Sequence, residues 1–219
     1  MIHSKHLGHS VTCVQESRRT GQGETSFDDV VLKGWRIYWN GLKKKSQAGV
    51  AIFIAPHVKV FDVVHGLEGR ISAVRCTIYG VRMSIVNCYA PTEPYAVSTK
   101  DTFYAELVKM VQCLAKSHPS FKLVVCGDFN ASIGDDCDHG AYRSLGRVHD
   151  RVQTNYNGRK LIEFAENQGL FIMNTLFNIK KDSHRHTFRS NLGYDRRLDY
   201  ILGDKYIKRY THNCRAYPG

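Results

Sequence analysis

Long apolar runs and proline are both scarce in this chain of 219 residues. No apolar stretch approaches the ~20 residues that a helix needs to cross a bilayer, which excludes a bundle of membrane-spanning helices. The opening letters MIHSKHLGHSVTC contain no apolar core of the kind that secretory signals carry. We therefore expect an intracellular protein, nuclear or cytoplasmic, that is neither secreted nor attached to a membrane. With five prolines and no repeat or low-complexity segment, nothing divides the chain, and residues 1–219 are expected to form one domain.

Cysteine is present, but the spacing patterns that would give it a structural role are missing. The chain has seven cysteines, an odd number, and no CxxC pair. Several of them lie inside apolar, strand-like runs. These features argue against a disulfide framework or a zinc site and favour buried thiols in a reducing compartment.

Acidic residues are outnumbered by basic ones, which gives a formal net charge of +11. A balance of this size favours a polyanionic partner such as nucleic acid, or an anionic membrane surface. A generic basic surface is the simpler alternative. The charge therefore directs attention to nucleic acid without identifying it.

The order of apolar patterns predicts a mixed α/β fold. A hairpin should turn near Tyr79–Gly80, and a long amphipathic helix should begin with a cap at Ser98 or Thr99 before a buried strand at 122–127. A strand, a helix and a second strand in this order indicate a βαβ-like unit. The remaining predicted elements are a strand in HSVTCVQES around Val11 and Cys13, strands at 35–39 and 49–55, and a loop at 17–34. A helix at 157–170, a strand in LFIMNT, and two strands, HTFRS and RRLDYIL, across a turn at 191–193 complete the prediction.

The most informative stretch is KLVVCGDFN, where an apolar strand ends in polar residues. Gly127 would allow a bend or a close backbone approach. If the strand continues, Asp128 and Asn130 share one face while Phe129 packs on the other. An anionic and a neutral polar group would then face one substrate. The alternative is an Asx turn that merely closes the strand.

Other polar residues also stand where apolar strands finish, in blocks QE, YAPT, GDFNA followed by IG, and RLDYI. In this order and at these separations the blocks resemble the endonuclease/exonuclease/phosphatase superfamily, over nearly the whole chain. YAPTE, the helix entry at 157 and HTFRSNLGYDRRLDYIL are most similar to the endonuclease domains of LINE-like non-LTR retrotransposons, and especially to the clade related to craniofacial development protein 2.

The resemblance implies a four-layered α/β sandwich, two β-sheets flanked by helices, that hydrolyses phosphodiesters with Mg²⁺ or Mn²⁺. It assigns metal binding to Glu16, a hydroxyl directed at the phosphate to Tyr89, and orientation of a histidine to Asp199. Asp128 takes the place of a general base, and Asn130 would donate to a phosphate oxygen or orient the nucleophile. The structural alternatives are an exposed glutamate, a core tyrosine and a satisfied carboxylate at a strand end.

Two blocks of the superfamily pattern are absent from the sequence. No asparagine-bearing strand precedes the QE strand, and no Ser-Asp-His block follows RLDYI. Asn40 lies in the wrong order to replace the first, and His212 lacks the context of the second. We therefore expect a domain that is truncated at both termini and lacks both of these strands.

Three functions follow as hypotheses. The first is a metal-dependent endonuclease that nicks DNA, as in LINE-like elements. The second is a catalytically degenerate fragment that binds nucleic acid or another protein. The third keeps phosphodiester hydrolysis but acts on a phospholipid or an inositol phosphate, which the retrotransposon-like text at 184–202 disfavours.

Overall fold

Two main β-sheets, a short two-stranded sheet and three α-helices form the framework of the described part of the chain. The structure is a computed structural model, and it describes residues 9–44, 48–137, 140–148, 150–179, 184–189 and 195–217. The strands are β1 Val11–Gln15, β2 Gln22–Ser26, β3 Arg36–Asn40, β4 Val50–Ile54, β5 Lys59–His65, β6 Ile71–Ile78, β7 Val81–Tyr89, β8 Lys122–Asp128, β9 Phe171–Ile172, β10 Phe188–Arg189, β11 Asp195–Arg196 and β12 Asp199–Gly203. The helices are α1 Val97–Ser117, α2 Tyr156–Gln168 and α3 Lys205–Tyr210.

The larger sheet has six strands in the order β5-β6-β7-β8-β12-β9, and the smaller has four in the order β1-β4-β3-β2. β7 and β8 are parallel, whereas β12 runs antiparallel to β8. The parallel pair is joined through α1, so the predicted βαβ unit is confirmed. A further short pair, β10-β11, stands apart from both sheets.

Two hydrophobic cores hold these layers together. One lies between the sheets and joins side chains of β3 and β4 to those of β6 and β7, including Ile52 and Ile85. The other lies between the six-stranded sheet and helices α1 and α2, around Phe103, Leu161 and Val125. Alternate residues of β8 contribute to the two cores, as expected for a strand covered on both faces. The predicted α/β sandwich of two sheets with flanking helices is confirmed.

The predicted ends of two elements are confirmed, and the predicted start of a third is wrong. The β6–β7 hairpin turns at Tyr79 and Gly80, which both have positive φ, 47° and 81°. Helix α2 ends at Gly169 in the left-handed conformation with φ 65°. Helix α1, however, begins at Val97 after Ala96, which makes no side-chain capping bond, and not at a Ser98 or Thr99 cap.

Three other predictions need correction. The stretch 17–34 is not wholly a loop, because β2 pairs along its full length with β3. The strand predicted for LFIMNT is limited to Phe171–Ile172 and is followed by a short 3₁₀ helix. The predicted strand RRLDYIL is divided: Arg196, at its start, pairs with Phe188 of HTFRS as expected, whereas Asp199–Gly203 joins β8. The predicted turn at 191–193 lies outside the described residues.

Among the helices of the described residues, none combines the length and the apolar composition needed to cross a bilayer.

Candidate active site

Three polar side chains meet where neighbouring strands of the six-stranded sheet end or begin. Tyr89, the last residue of β7, is the Cα partner of Asp128 at the end of β8. Asp128 is in turn the partner of Asp199, the first residue of β12. The parallel pairing of β7 with β8 and the antiparallel pairing of β12 place all three residues in one row across the sheet. The sheet register therefore brings two carboxylates and a phenol together.

Glu16 reaches the same place from the four-stranded sheet. It follows β1 directly, with a positive φ of 52°. The Tyr89 hydroxyl donates a hydrogen bond of 2.7 Å to Glu16 Oε1. Positive φ is uncommon outside glycine and occurs at sites where surrounding structure enforces it. The hydrogen bond thus joins a side chain of one sheet to a side chain of the other.

A buried asparagine fixes the end of β1 against β7. Asn87 is fully buried, and its Nδ2 donates to the carbonyl oxygens of Val14 and Ala51 at 3.0 and 2.9 Å. Its Oδ1 accepts from Gln15 Nε2 at 2.6 Å. A buried amide whose hydrogen bonds are all satisfied holds the two sheets in a fixed relative position. It holds the strand that precedes Glu16 in register with the strand that ends at Tyr89.

The carboxyl group of Asp128 is placed where its charge is disfavoured. Burial, the charge of Asp199 and the charge of Glu16 raise its pKa to about 7, against a smaller lowering by the N–H of Asn130. Burial also raises the pKa of Asp199, and a hydrogen bond with Thr187 moderates that rise. Like-charged groups that face one another on adjacent strands repel. This concentration of negative potential is suited to a cation.

Tyr89 acts only as a hydrogen-bond donor in this environment. Burial and the hydrogen bond with Glu16 raise its pKa well above the usual range of tyrosine. The phenol therefore keeps its proton at any physiological pH. The guanidinium of Arg70 lies 5.2 Å from the centre of the Tyr89 ring and donates to the Tyr89 carbonyl oxygen at 3.1 Å.

Asn130 occupies a different position from the one that strand geometry predicts. β8 ends at Asp128, and Asn130 has a left-handed backbone with φ 46°. Its N–H donates to Asp128 Oδ1 at 2.8 Å, and its Nδ2 donates to the carbonyl oxygen of Ala90 at 2.9 Å. The first of these bonds is the Asx turn that the sequence left open. The turn keeps Asn130 beside Asp128, whereas simple alternation along a strand does not apply.

All five predicted site residues are thus brought together, and the structure adds two that the sequence did not single out. Arg70 packs on Tyr89, as described above. Thr187 Oγ1 accepts from the backbone N–H groups of Leu198 and Asp199 at 3.0 and 3.1 Å. Thr187 lies in the HTFRS block of the resemblance, which was a usable signal. Arg70 stands at the start of an alternating strand, where nothing in the pattern marks it.

The donor set fits a hard divalent cation. Glu16 offers carboxylate oxygens, and the nearby carboxylates of Asp128 and Asp199 add negative charge that a cation would compensate. Mg²⁺ commonly binds through only one or two carboxylates, with water and substrate phosphate completing its shell. Among the described residues, no group of three or more His, Cys, Asp or Glu side chains is arranged to hold a metal. The site therefore fits a cation whose coordination shell is completed mostly by water and substrate oxygens.

The sequence is similar to craniofacial development protein 2 of Bos taurus, with 30% identity over 210 residues. The match covers 94% of this chain and 33% of the relative, so the chain spans about a third of the length of the relative. No protein-family model matches the chain. The predicted resemblance to this protein is confirmed at the level of sequence.

Solved structures share the fold at lower identity. The 3′-5′ exonuclease NExo of Neisseria meningitidis superposes with a TM-score of 0.60 at 22% identity, covering 91% of this chain and 78% of that one. A further structure shows NExo bound to a product DNA hairpin. The endonuclease domain of TRAS1, a telomere-specific non-LTR retrotransposon, gives a TM-score of 0.56 at 16% identity, covering 94% and 78%. The fold of this chain is the endonuclease/exonuclease/phosphatase fold.

Proposed function

We propose that this chain is a divalent-metal-dependent phosphodiester hydrolase that nicks DNA, in the manner of a retrotransposon endonuclease. The observation that carries the proposal is the row of Tyr89, Asp128 and Asp199 across three adjacent strands. Glu16 joins this row through its hydrogen bond with the Tyr89 hydroxyl. A phosphodiester is anionic and resists attack, so hydrolysis needs an activated water and compensation of developing negative charge. The site offers groups suited to both tasks.

Asp128 is the group that accepts a proton from the attacking water. In the metal-free chain, burial and the charges of Asp199 and Glu16 raise the pKa of Asp128, so its carboxylate is a stronger base than that of an exposed aspartate. The N–H of Asn130 fixes one oxygen of this carboxylate at 2.8 Å. The side-chain amide of Asn130 donates one hydrogen bond to Ala90, and its second N–H can orient water or a phosphate oxygen.

Glu16 is the residue that would hold Mg²⁺ or Mn²⁺, with Asp128 beside it. The ion, when bound, compensates charge on the phosphate oxygens. Tyr89 keeps its proton and can turn its hydroxyl from Glu16 to a phosphate oxygen. The resemblance assigns Asp199 the orientation of a histidine, but its side chain is hydrogen-bonded to Thr187. The negative charge of Asp199 instead supports the proposal that it makes Asp128 a stronger base.

DNA is the substrate that the surface charge and the relatives favour. The chain carries a formal charge of +11, and a polyanion is attracted to such a surface over several ångströms. NExo, which shares the fold, has been observed with a DNA hairpin. A DNA substrate is consistent with a nuclear or cytoplasmic location and with no role at a membrane.

Plasmid nicking with Mg²⁺ or Mn²⁺ tests the proposal, and Glu16→Gln sharpens it. Glutamine keeps an oxygen that can accept from Tyr89 but removes the charge that attracts the ion. The concentration of Mg²⁺ needed for half-maximal nicking should rise at least about tenfold. Glu24→Gln, an exposed change on β2 of the same sheet, should leave it unaltered.

Other results would assign a different function. Salt-sensitive binding of DNA without any nicking would identify a non-catalytic nucleic-acid-binding module. Faster hydrolysis of inositol phosphates than of plasmid would place the activity on small phosphates. An Mg²⁺ requirement that is the same in Glu16→Gln and in the unaltered chain would remove Glu16 from the metal site.

A further inference from the structure

A basic and aromatic surface lies at the end of the six-stranded sheet opposite the candidate active site. β7 runs from Val81, beside the β6–β7 turn, to Tyr89 in the candidate active site, so the turn and the site are separated by the length of the strand. A groove of about 530 Å³ opens next to this turn. Its lining residues, called here the turn groove, are His57, Lys59, Phe61, Thr77, Tyr79, Gly80 and Arg82.

Two aromatic rings of the turn groove face solvent. The Tyr79 side chain is 79% exposed and stacks on the His57 ring, with centroids 5.3 Å apart and an interplanar angle of 24°. Phe61 is 47% exposed and lies at the point where the β5–β6 pairing shifts register, between Val60 and Asp62. A bulge of this kind re-aims a side chain out of the alternating pattern. The local backbone, a turn at Tyr79 and a bulge at Phe61, therefore directs both rings away from the core.

The backbone of the turn makes Tyr79 an unusual choice. A two-residue hairpin turn with positive φ at both positions is most often Asn-Gly, because a bulky side chain is strained there. Tyr79 has φ 47° and Gly80 has φ 81°. Within the chain the Tyr79 ring gains its stacking contact with His57, but most of its surface stays exposed. A contact with a ligand is a physical reason for the ring.

The charged groups of the turn groove are all basic. Lys59 and Thr77 are Cα partners, and so are Thr77 and Arg82, which places the two cations in one row on either side of Thr77. Among the described residues that line the groove, none carries a carboxylate. The nearest acidic residue along β5, Asp62, is bound by Arg75. The aromatic surface continues beyond the groove, since Phe61 meets Phe121 edge to face with centroids 5.7 Å apart.

We propose that the turn groove binds single-stranded nucleic acid. Exposed rings offer stacking platforms to unpaired bases, and cations in a row attract the sugar-phosphate backbone. Duplex DNA does not present unpaired base faces, so this ligand differs from the duplex substrate of the candidate active site. The chain would then hold a single strand at one end of the sheet and act on a phosphodiester at the other.

Binding of a fluorescein-labelled oligothymidylate, followed by anisotropy without divalent metal, tests the proposal. Tyr79→Asn removes the ring and places at this position a residue that tolerates positive φ, so the turn is kept. Loss of one stacking platform should weaken binding roughly 5- to 150-fold. Tyr210→Asn is the matched control, because Tyr210 is 57% exposed beside Arg209 but lies outside the groove. The control should bind the oligonucleotide like the unaltered chain.

The cations have a separate signature. Lys59→Gln and Arg82→Gln should each reduce the slope of log affinity against log salt by about 0.7, the value for one phosphate contact on a single strand. Nicking of duplex plasmid should be unchanged in all three groove variants, which separates this site from the proposed hydrolytic function. Equal oligonucleotide binding by Tyr79→Asn and Tyr210→Asn would overturn the proposal. The proposal would also be overturned if Tyr79→Asn bound vesicles of anionic phospholipid more weakly than the unaltered chain does but bound the oligonucleotide equally well.

Discussion

Asp128→Asn is expected to lower the rate of phosphodiester cleavage by about 10²- to 10⁴-fold, the usual contribution of a general base. Asparagine has nearly the shape of aspartate and can still accept the Asn130 N–H through its side-chain oxygen. It cannot take a proton from water. DNA binding should be retained or strengthened, because one negative charge is removed from the site. The measurement is single-turnover nicking at saturating Mg²⁺, with filter binding of the same DNA.

The same substitution should stabilise the metal-free fold at neutral and alkaline pH. The pKa of Asp128 is raised to about 7 in the folded chain, from about 3.9 in an unfolded one. The folded state therefore holds this proton more tightly, and stability from the group is complete below about pH 4 and is lost as pH rises through about 7. The loss is up to about 4 kcal/mol, and asparagine avoids it because it does not ionise.

Urea unfolding in EDTA at about pH 5 and about pH 8 measures this effect. The stability of the unaltered chain should fall more between these values than that of Asp128→Asn. Asp28→Asn, an exposed carboxylate on a loop of the other sheet, serves as the control and should follow the unaltered chain. Identical pH dependence for all three chains, or full cleavage by Asp128→Asn, would contradict the role assigned to Asp128.

Gly127→Ala should destabilise the chain by on the order of 4 kcal/mol. A Cβ at this position would lie 1.9 Å from the carbonyl oxygen of Cys88, on the neighbouring strand. Neither backbone can yield without parting β7 from β8. That separation would also move Tyr89 away from Asp128, so cleavage should fall with stability. The structure thus confirms the predicted close approach of another backbone segment, here that of Cys88, to Gly127.

Gly169→Ala is the control for the conformational part of this cost. Gly169 has φ 65°, and nothing lies within 4 Å of the position of an added Cβ. Its replacement should cost only about 1 kcal/mol. Urea unfolding of both variants gives the comparison. If the two substitutions prove equally costly, packing between β7 and β8 does not restrict residue 127.

The elements that could be predicted from sequence are those in which the pattern of apolar and polar side chains follows the pattern of burial. The apolar run before Asp128 and the alternation on either side of Tyr79–Gly80 reflect burial directly. β2 could not be found this way, because its side chains are largely exposed and its pairing with β3 rests on backbone hydrogen bonds. Likewise, nothing in RRLDYIL shows that Arg196 pairs with HTFRS while Asp199–Gly203 joins β8.

The candidate site was predictable in its members but not in its geometry. Spacing placed Asp128 and Asn130 together, yet the reason is an Asx turn and a left-handed residue, which no spacing rule reveals for asparagine. Glu16 shares this positive φ. The buried amide of Asn87 also escaped notice, because a polar residue within an apolar strand looks the same whether it is exposed or bridges two sheets.

The hydrogen bond between Tyr89 and Glu16 has a consequence for how activity would be acquired during folding. Glu16 belongs to one sheet, and the other site groups belong to its neighbour. A partly folded chain with either sheet alone would possess only part of the candidate active site, and under the proposed function it should not cleave DNA. On refolding, cleavage should therefore return together with the docking of the sheets, later than the recovery of backbone order seen by circular dichroism.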